Sequence, residues 1–223
     1  MFAIKRSKSY LNFYKFLQFI VTPILKIIYR VEIINKKNSY VNTENGLILC
    51  SNHLSALDPI IMCAYFPKPI YFLAKIEIFR NKFVKSIVSY FNAFPINREG
   101  FGLSVVKKAI EILKAGNVIG IFPEGTRSLS GEIGEIKKGI GLIAYLSNSP
   151  ILTMALFNSK KIPDDDKKNI KNKKKSLIPK IKIIYGEVIN TKEIIKNYPQ
   201  KEAIDKIADI VLENIKNLYS QLL

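Results

Sequence analysis

Short continuous apolar runs and segments of helical periodicity alternate along this chain. The apolar runs are bounded by turn residues, as is typical of buried strands, and they lie at 47–51, 70–74, 91–96, 118–122, 150–157 and, with weaker alternation, 180–186. Helical spacing is clearest at 103–115 and 204–222, and further helices are predicted at 59–66, at 140–147 and in a stretch ending near residue 90. This alternation predicts an α/β fold with a mostly parallel central sheet flanked by helices.

The N-terminal segment, residues 1–34, has a different pattern. Its aromatic and aliphatic residues are mixed with lysines, and Lys15, Pro23 and Lys26 interrupt the apolar run before it reaches the roughly 20 residues that a transmembrane helix needs. We expect a helical element that lies in the membrane interface, either a kinked hairpin or a single amphipathic helix. A helix packed on the domain's own core stays open as the alternative. The domains are then 1–34, a membrane-associating segment, and 35–223, the main domain.

The charge of the chain points to anionic partners. It has 35 Lys and Arg residues against 18 Asp and Glu, a formal net charge of +17 over 223 residues. Such a surface attracts nucleic acid, anionic lipid or phosphorylated ligands. Most of the excess is lysine and no nucleic-acid-binding motif is found, so a membrane surface or a phosphate ligand is favoured. A compositional bias toward lysine would explain part of the same excess.

The two cysteines, Cys50 and Cys63, lie within or beside apolar runs and lack the spacing of a metal site. They are predicted to be small buried residues of a protein in a reducing compartment. The lysine-rich stretch 159–176 carries three consecutive aspartates and is predicted to be a solvated loop.

Candidate chemistry lies directly after the predicted strand 47–51. His53 is the one histidine of the chain, and Asp58 follows it by five residues. Histidine titrates near neutrality and is the natural proton acceptor, and a nearby carboxylate can fix its tautomer. The alternative is that Asp58 only caps the helix that Pro59 begins. Arg98 and the 124–127 stretch follow two other predicted strands, so we expect these groups to meet at one edge of the sheet.

Taken together, these residues resemble the glycerolipid acyltransferase family, in particular its bacterial 1-acylglycerol-3-phosphate acyltransferases. The family's ordered blocks match Asn52-His53 to Asp58 (the His-x4-Asp motif), Phe94 to Arg98, the intact Phe-Pro-Glu-Gly-Thr-Arg-Ser at Phe122–Ser128 and, loosely, Pro150 to Met154. Lys75 and Lys138 match positions that the family tends to keep basic. The resemblance covers roughly residues 40–190. Thr153 stands where the family usually has a second proline, and Asn97 stands where an aspartate is common; the former departure is expected to affect the fit of the acyl chain or acceptor.

The resemblance implies an enzyme that moves a fatty acyl group from acyl-CoA or acyl-acyl-carrier protein to the sn-2 hydroxyl of lysophosphatidate, giving phosphatidate. His53 would be the general base and Asp58 would orient it. No serine or cysteine beside His53 forms a nucleophile elbow, so direct attack without an acyl-enzyme is expected. Neither a metal nor a cofactor is expected.

The resemblance also implies which residues bind the acceptor. A phosphate calls for fixed guanidinium groups, and the substrate-binding residues are predicted to be Arg98, Arg127, Lys75, Lys138, Glu124, Gly125 and Thr126. Backbone N–H groups near Phe122–Ser128 would stabilise the tetrahedral oxyanion.

The expected location is the cytoplasmic face of the cell membrane, with a peripheral or monotopic attachment and no nucleic-acid partner. The alternatives are an acyltransferase for glycerol-3-phosphate or another lysophospholipid, a non-catalytic protein that binds anionic lipid or phosphate, and a basic nucleic-acid-binding protein.

Overall fold

In the part of the chain that the structure describes, the central sheet has seven strands, and helices cover both of its faces. A computed structural model describes residues 8–42, 44–75, 79, 92–96, 103–128, 130–159 and 180–223. Its strands are β1 (Glu32–Ile34), β2 (Leu47–Ser51), β3 (Ile70–Lys75), β4 (Ala93–Ile96), β5 (Val118–Ile121), β6 (Ile151–Phe157) and β7 (Lys182–Ile189). Its α-helices are α1 (Lys8–Tyr29), α2 (Asp58–Tyr65), α3 (Leu103–Lys114), α4 (Gly139–Ser147), α5 (Thr191–Asn197) and α6 (Gln200–Ser220), and a short 3₁₀ helix spans Lys36–Ser39.

The strand order is β1-β7-β6-β2-β5-β3-β4. Every pair is parallel except β6 with β7, which is antiparallel. The predicted α/β class with a mostly parallel sheet is therefore confirmed. β2 lies at the centre between β5 and β6 and is buried along its whole length, which explains why its sequence is one continuous apolar run.

The two sides of β2 face two different sets of helices. Leu47 and Leu49 pack in a cluster with α1 and α2, whereas Ile48 and Cys50 pack in a cluster with α3, α4 and α6. Alternate residues of a strand point to opposite faces of the sheet, so both clusters can be filled from one strand. The stripe of apolar residues predicted in the C-terminal helix is confirmed as core: Ala203, Ile207, Val211 and Ile215 are all buried.

Helix α1 is a single helix that contains Pro23, so the hairpin alternative is wrong for the described residues. Its length and composition would suffice to cross a membrane, and only 6% of its apolar window is buried. Tyr14 is the buried residue of this helix. The apolar residues on its outward surface are exposed, and they are Leu11, Phe13, Phe16, Phe19, Ile20, Ile24, Ile27 and Ile28.

Polar side chains on the inner side of α1 hold it against the end of α2. Tyr14 and Gln18 donate hydrogen bonds to the carbonyl of Cys63 at 3.0 and 2.7 Å. Gln18 also donates to the carbonyl of Phe66 at 2.8 Å, and Thr22 donates to that of Ala64 at 2.9 Å. The last carbonyls of a helix have no partner within the helix, so α1 supplies the partners that the end of α2 lacks.

The sequence did not predict one strand and one α-helix that the structure contains. One is β1, a strand of three residues that pairs with β7 and lies within the segment assigned to the N-terminal element. The other is α5, a helix of seven residues that precedes α6. Neither is long enough to display a convincing period of its own. The predicted helix ending near residue 90 and most of the predicted 159–176 loop lie outside the described residues.

Thr153 lies in the core of the sheet, at an irregularity between β6 and β7. The register shifts between Leu152 and Met154, so Thr153 stands opposite two residues of β7. Its hydroxyl packs against Gly186, where an added Cβ would lie 2.7 Å from it and 3.0 Å from Leu218 of α6. The position therefore affects the packing of the sheet on α6.

Candidate active site

His53 and Asp58 come together at the carboxyl end of β2. His53 follows the strand by two residues, and Asp58 is the first residue of α2. The imidazole Nδ1 lies 2.9 Å from Asp58 Oδ2. The carboxylate is fully buried, whereas the imidazole keeps 14% of its surface exposed. The chain therefore places an oriented imidazole at the edge of the sheet where α/β proteins bind ligands.

Asp58 also holds the backbone of the loop before α2. The same Oδ2 accepts hydrogen bonds from the N–H groups of Leu54 and Ser55, at 2.6 and 2.8 Å. These donors suit an ionised carboxylate, which only accepts, and we therefore assign the imidazole hydrogen to Nδ1. That tautomer leaves Nε2 of His53 as a proton acceptor, and Nε2 makes no hydrogen bond within the described residues.

The alternative that Asp58 only caps the helix is wrong. The helix begins at Asp58 itself, its N-cap position is Leu57, and no side chain caps it by a hydrogen bond. The carboxylate turns back to the preceding loop instead, which is compatible with Pro59 in the first turn because proline has no N–H to be satisfied.

The turn after β5 contacts His53 at three points. Glu124 Oε1 accepts a hydrogen bond from the His53 N–H at 2.9 Å. The Ser128 N–H donates to the His53 carbonyl at 2.8 Å. The ring of Phe122 stacks on the imidazole, with centroids 4.0 Å apart and planes 16° from parallel. The predicted meeting of these two stretches at one edge of the sheet is therefore observed.

Phe122 is itself supported by a second aromatic ring from β3. Phe72 stacks on Phe122 with centroids 6.1 Å apart. Phe72 is buried, and it occupies the space beside Gly120 of β5, where any Cβ would collide with its ring. Glycine at this point in a strand thus allows a large side chain to approach the backbone. The imidazole of His53 is therefore the outermost of three stacked rings, and the innermost, Phe72, lies in the core.

Comparisons with known proteins agree with this arrangement. Residues 30–156 match a family model described as Acyltransferase. A 1-acyl-sn-glycerol-3-phosphate acyltransferase of Bacillus subtilis (strain 168) is 30% identical over 94% of this chain and 98% of its own length. The chain belongs to the acyltransferase family. It is therefore an enzyme of acyl transfer.

One further relative and one solved structure are similar to this acyltransferase. A 1-acyl-sn-glycerol-3-phosphate acyltransferase of Borreliella burgdorferi is 31% identical over 58% of this chain and 52% of its own length. The crystal structure of the 1-acyl-sn-glycerophosphate acyltransferase PlsC from Thermotoga maritima superposes with a TM-score of 0.69, covering 96% of this chain and 84% of that one, at 22% identity. The structural likeness supports the fold.

The predicted acceptor-binding residues of the acyltransferase are described in part. Glu124 and Gly125 are half-buried, and Thr126 and Arg127 are exposed, all in the turn beside His53. Lys75 ends β3, where its backbone pairs with that of Ile96, and its side chain lies outside the described residues. Arg98 also lies outside them. Their roles stay predictions.

Lys138 is directed toward α6. Its Nζ pairs with Asp205 at 2.8 Å on the surface, with 71% of the lysine side chain exposed. The neighbouring Lys137 is the lysine that covers the turn: its Cε would lie 2.9 Å from a Cβ added to Gly125, and its N–H donates to the Pro123 carbonyl at 2.9 Å. The sequence carries no signal that separates Lys137 from Lys138, because the fold decides which of two adjacent lysines faces the turn.

The two cysteine thiols of the acyltransferase, Cys50 and Cys63, are free and buried. Burial raises the pKa of Cys63 to about 12 and raises that of Cys50 further above its ordinary value. A nucleophilic cysteine needs a thiolate at working pH, so neither thiol suits an acyl-enzyme. Within the described residues, no group of three His, Cys, Asp or Glu side chains is arranged to hold a metal ion.

Proposed function

We propose that this acyltransferase moves a fatty acyl group from a thioester to the sn-2 hydroxyl of lysophosphatidate, with His53 as general base. The observation that carries the proposal is the buried Asp58 carboxylate on Nδ1 of an imidazole whose Nε2 has no hydrogen-bond partner in the part of the chain that the structure describes. The names of the relatives from Bacillus subtilis and Borreliella burgdorferi support the choice of acceptor.

In the proposed reaction, Nε2 of His53 takes the proton of the acceptor hydroxyl as its oxygen attacks the thioester carbonyl. Asp58 stabilises the imidazolium that forms. The tetrahedral intermediate then collapses, the carbon–sulfur bond breaks, and the imidazolium returns the proton to the departing sulfur. The products are phosphatidate and the free thiol of the carrier. Both substrates are proposed to be bound at once, because no serine or cysteine beside His53 forms a nucleophile elbow and burial raises the pKa of both Cys50 and Cys63.

The acceptor phosphate is proposed to bind guanidinium and ammonium groups near this loop. Arg127 belongs to the turn that contacts His53, Lys75 is the last residue of β3, and Arg98 follows the end of β4 by two residues in sequence. The bidentate geometry of arginine suits a phosphate. Lys138 is a weaker candidate because it is paired with Asp205. Thr126 and Gly125 would shape the entrance for the glycerol backbone.

The enzyme is proposed to lie on the cytoplasmic leaflet through the outward surface of α1. That surface carries Phe19 and Ile27, each 78% exposed, among other apolar residues. Apolar side chains that are exposed in water are stabilised when they enter the interfacial region of a bilayer. The excess of lysine would add attraction to anionic lipid.

The test is a direct assay of the purified full-length protein in detergent or in vesicles. Lysophosphatidate is offered with acyl-CoA and, separately, with acyl-acyl-carrier protein, and phosphatidate is measured. Glycerol-3-phosphate and other lysophospholipids serve as competing acceptors. We expect lysophosphatidate to give the highest kcat/KM. A higher kcat/KM for another acceptor would contradict lysophosphatidate as the substrate and assign the enzyme to that acceptor. Binding of anionic lipid without turnover of any acceptor would contradict the proposed activity.

His53→Ala and His53→Gln test the base. Both are expected to lower kcat by about 10²–10⁴-fold, the range that general-base catalysis contributes. Glutamine keeps an N–H donor for Asp58, so it limits any disturbance of the loop. An unchanged unfolding temperature in either variant would show that the lost activity is chemical.

A further inference from the structure

The turn from Phe122 to Ser128 holds His53 on three different sides. Glu124 accepts from its N–H at 2.9 Å, Ser128 donates to its carbonyl at 2.8 Å, and Phe122 covers one face of its ring at 4.0 Å. The side chain of Asp58 holds the edge of the ring. Together these contacts fix both the backbone position and the plane of one residue.

Glu124 is occupied by protein donors on both of its oxygens. Oε1 binds the His53 N–H, and Oε2 accepts from the N–H of Gly134 at 3.2 Å. The turn that presents the carboxylate is closed by the Gly125 N–H on the Phe122 carbonyl at 3.0 Å, and Gly125 has a φ of +74°, which favours glycine. The Glu124 side chain therefore links the backbone of His53 to the backbone of Gly134.

We infer that the Phe122–Ser128 turn is a clamp on His53, in which Phe122 and Glu124 act as positioning residues. This inference rests on the proposed role of His53 as the base. It gives Glu124 a different role from the acceptor binding that the resemblance implied, because its carboxylate acts on the reaction through the His53 backbone.

The clamp matters because proton transfer depends on geometry. A base has to lie within hydrogen-bond reach of the hydroxyl that it deprotonates, and a displacement of about 1 Å can lower the rate about 10²-fold. The face of Phe122 also stabilises the positive charge that His53 gains, since an aromatic face attracts a cation. Asp58 and Glu124 are charged residues that contact His53 directly.

The kinetic experiment compares Glu124→Ala, Glu124→Gln and Phe122→Leu with a control, Phe157→Leu. Phe157 packs edge-on against Tyr219, with centroids 5.8 Å apart, and takes no part in the clamp. Glu124→Ala is expected to lower kcat about 10²-fold, with little change in KM for lysophosphatidate. Glutamine still accepts from the His53 N–H but cannot accept a second N–H through its amide nitrogen, so Glu124→Gln is expected to restore part of the loss.

A spectroscopic measurement follows the stack itself. The chain has one histidine, so the ring signals of selectively labelled histidine belong to His53 without further assignment. Phe122→Leu removes the ring current of the stacked aromatic and is expected to move the C–H signals of His53 downfield. Phe157→Leu is expected to leave them in place. Phe122→Tyr keeps an aromatic face and is expected to retain the wild-type signals and most of kcat.

The outcomes separate the clamp from the base. A rise in KM for lysophosphatidate with unchanged kcat in Glu124→Ala would overturn the inference and make Glu124 a substrate ligand. Unmoved His53 signals and unchanged kcat in Phe122→Leu would overturn it for the stack. His53→Ala is measured in parallel: substantial turnover there would refute the base itself, whatever the clamp variants do.

Discussion

The side chain of Asn52 continues the pairing of β2 with β6 by binding both backbone groups of Leu156. Its Oδ1 accepts from the Leu156 N–H at 2.8 Å, and its Nδ2 donates to the Leu156 carbonyl at 2.9 Å. Backbone pairing between these strands extends as far as Ser51 and Met154. The amide replaces the next pair of ladder hydrogen bonds, so the backbone can leave the sheet and present His53.

Asn52→Ala should therefore destabilise the fold and the active site together. Removing the amide leaves two buried backbone groups of Leu156 without partners, at a cost of roughly 1–3 kcal/mol for each. Chemical denaturation would measure the change in the free energy of unfolding. The control is Asn38→Ala, which removes one half-buried hydrogen bond to the Gly186 carbonyl and should cost about 1 kcal/mol. Equal losses in the two variants would contradict the ladder role.

Asp58→Asn should separate orientation from charge. Asparagine can accept from the Leu54 and Ser55 N–H groups with one oxygen, so the loop is largely kept. It cannot stabilise an imidazolium as a carboxylate does, so kcat should fall about 10²–10⁴-fold. Steady-state kinetics and the unfolding temperature are measured together. Asp58→Ala should in addition lower the unfolding temperature, because it leaves both N–H groups without an acceptor.

The buried thiols predict resistance to alkylation. Because the pKa of Cys63 is raised to about 12 and that of Cys50 is also raised, both stay protonated from neutral pH to about pH 9. Iodoacetamide at pH 8 should leave acyl transfer intact, and mass spectrometry should find no label in the native protein. Two labels should appear after denaturation. Rapid labelling of the native protein with loss of activity would contradict this prediction and support an acyl-enzyme on a cysteine.

The apolar surface of α1 predicts the effect of two substitutions on membrane binding. Phe19→Ser combined with Ile27→Ser should weaken sedimentation with anionic vesicles by at least about tenfold, since each buried side chain of this size contributes about 1.5–3 kcal/mol. The control is Leu103→Ser, at a residue that is 76% exposed on the opposite side of the sheet. If all variants sediment like the wild type, the lysines of the main domain hold the enzyme on the membrane.

Thr153→Val should stabilise the protein. The Thr153 hydroxyl is buried and has no hydrogen-bond partner among the described residues, and valine has nearly the same shape without a polar atom to desolvate. The free energy of unfolding should rise by about 1 kcal/mol, and kcat/KM should not change. A shift in acyl-chain preference would instead support the expectation that this departure affects substrate fit.

The sequence predicts the helices and strands that are long enough to show an apolar run or a helical period. The runs at Leu47–Ser51 and Val118–Ile121 are strands as expected, because both faces of these strands are buried. Glu32–Ile34 is too short to show a period and becomes a strand only because β7 lies beside it. Local pattern cannot report such tertiary effects.

The candidate site also has a part that the sequence predicted and a part that it did not. The strand-then-loop pattern indicated that His53, Asp58 and the turn after β5 would meet, and the structure brings them together. The direction of each side chain was not predictable. Lys138 was selected over its neighbour Lys137 because it matches a position that the family tends to keep basic, and only the fold shows that it points to Asp205. Similarly, the stacking of Phe122 on His53 depends on the space that Gly120 leaves for Phe72.

Helix α2 has the carboxylate that pairs with His53 at one end and contacts helix α1 at the other. Asp58 is its first residue, and Tyr14, Gln18 and Thr22 of α1 bind the carbonyls at its far end. Eight helical residues rise about 12 Å. With α1 in the membrane interface as proposed, this helix of fixed length sets the height of His53 above the bilayer, and a tilt of α1 would tilt the Asp58 carboxylate that orients the imidazole.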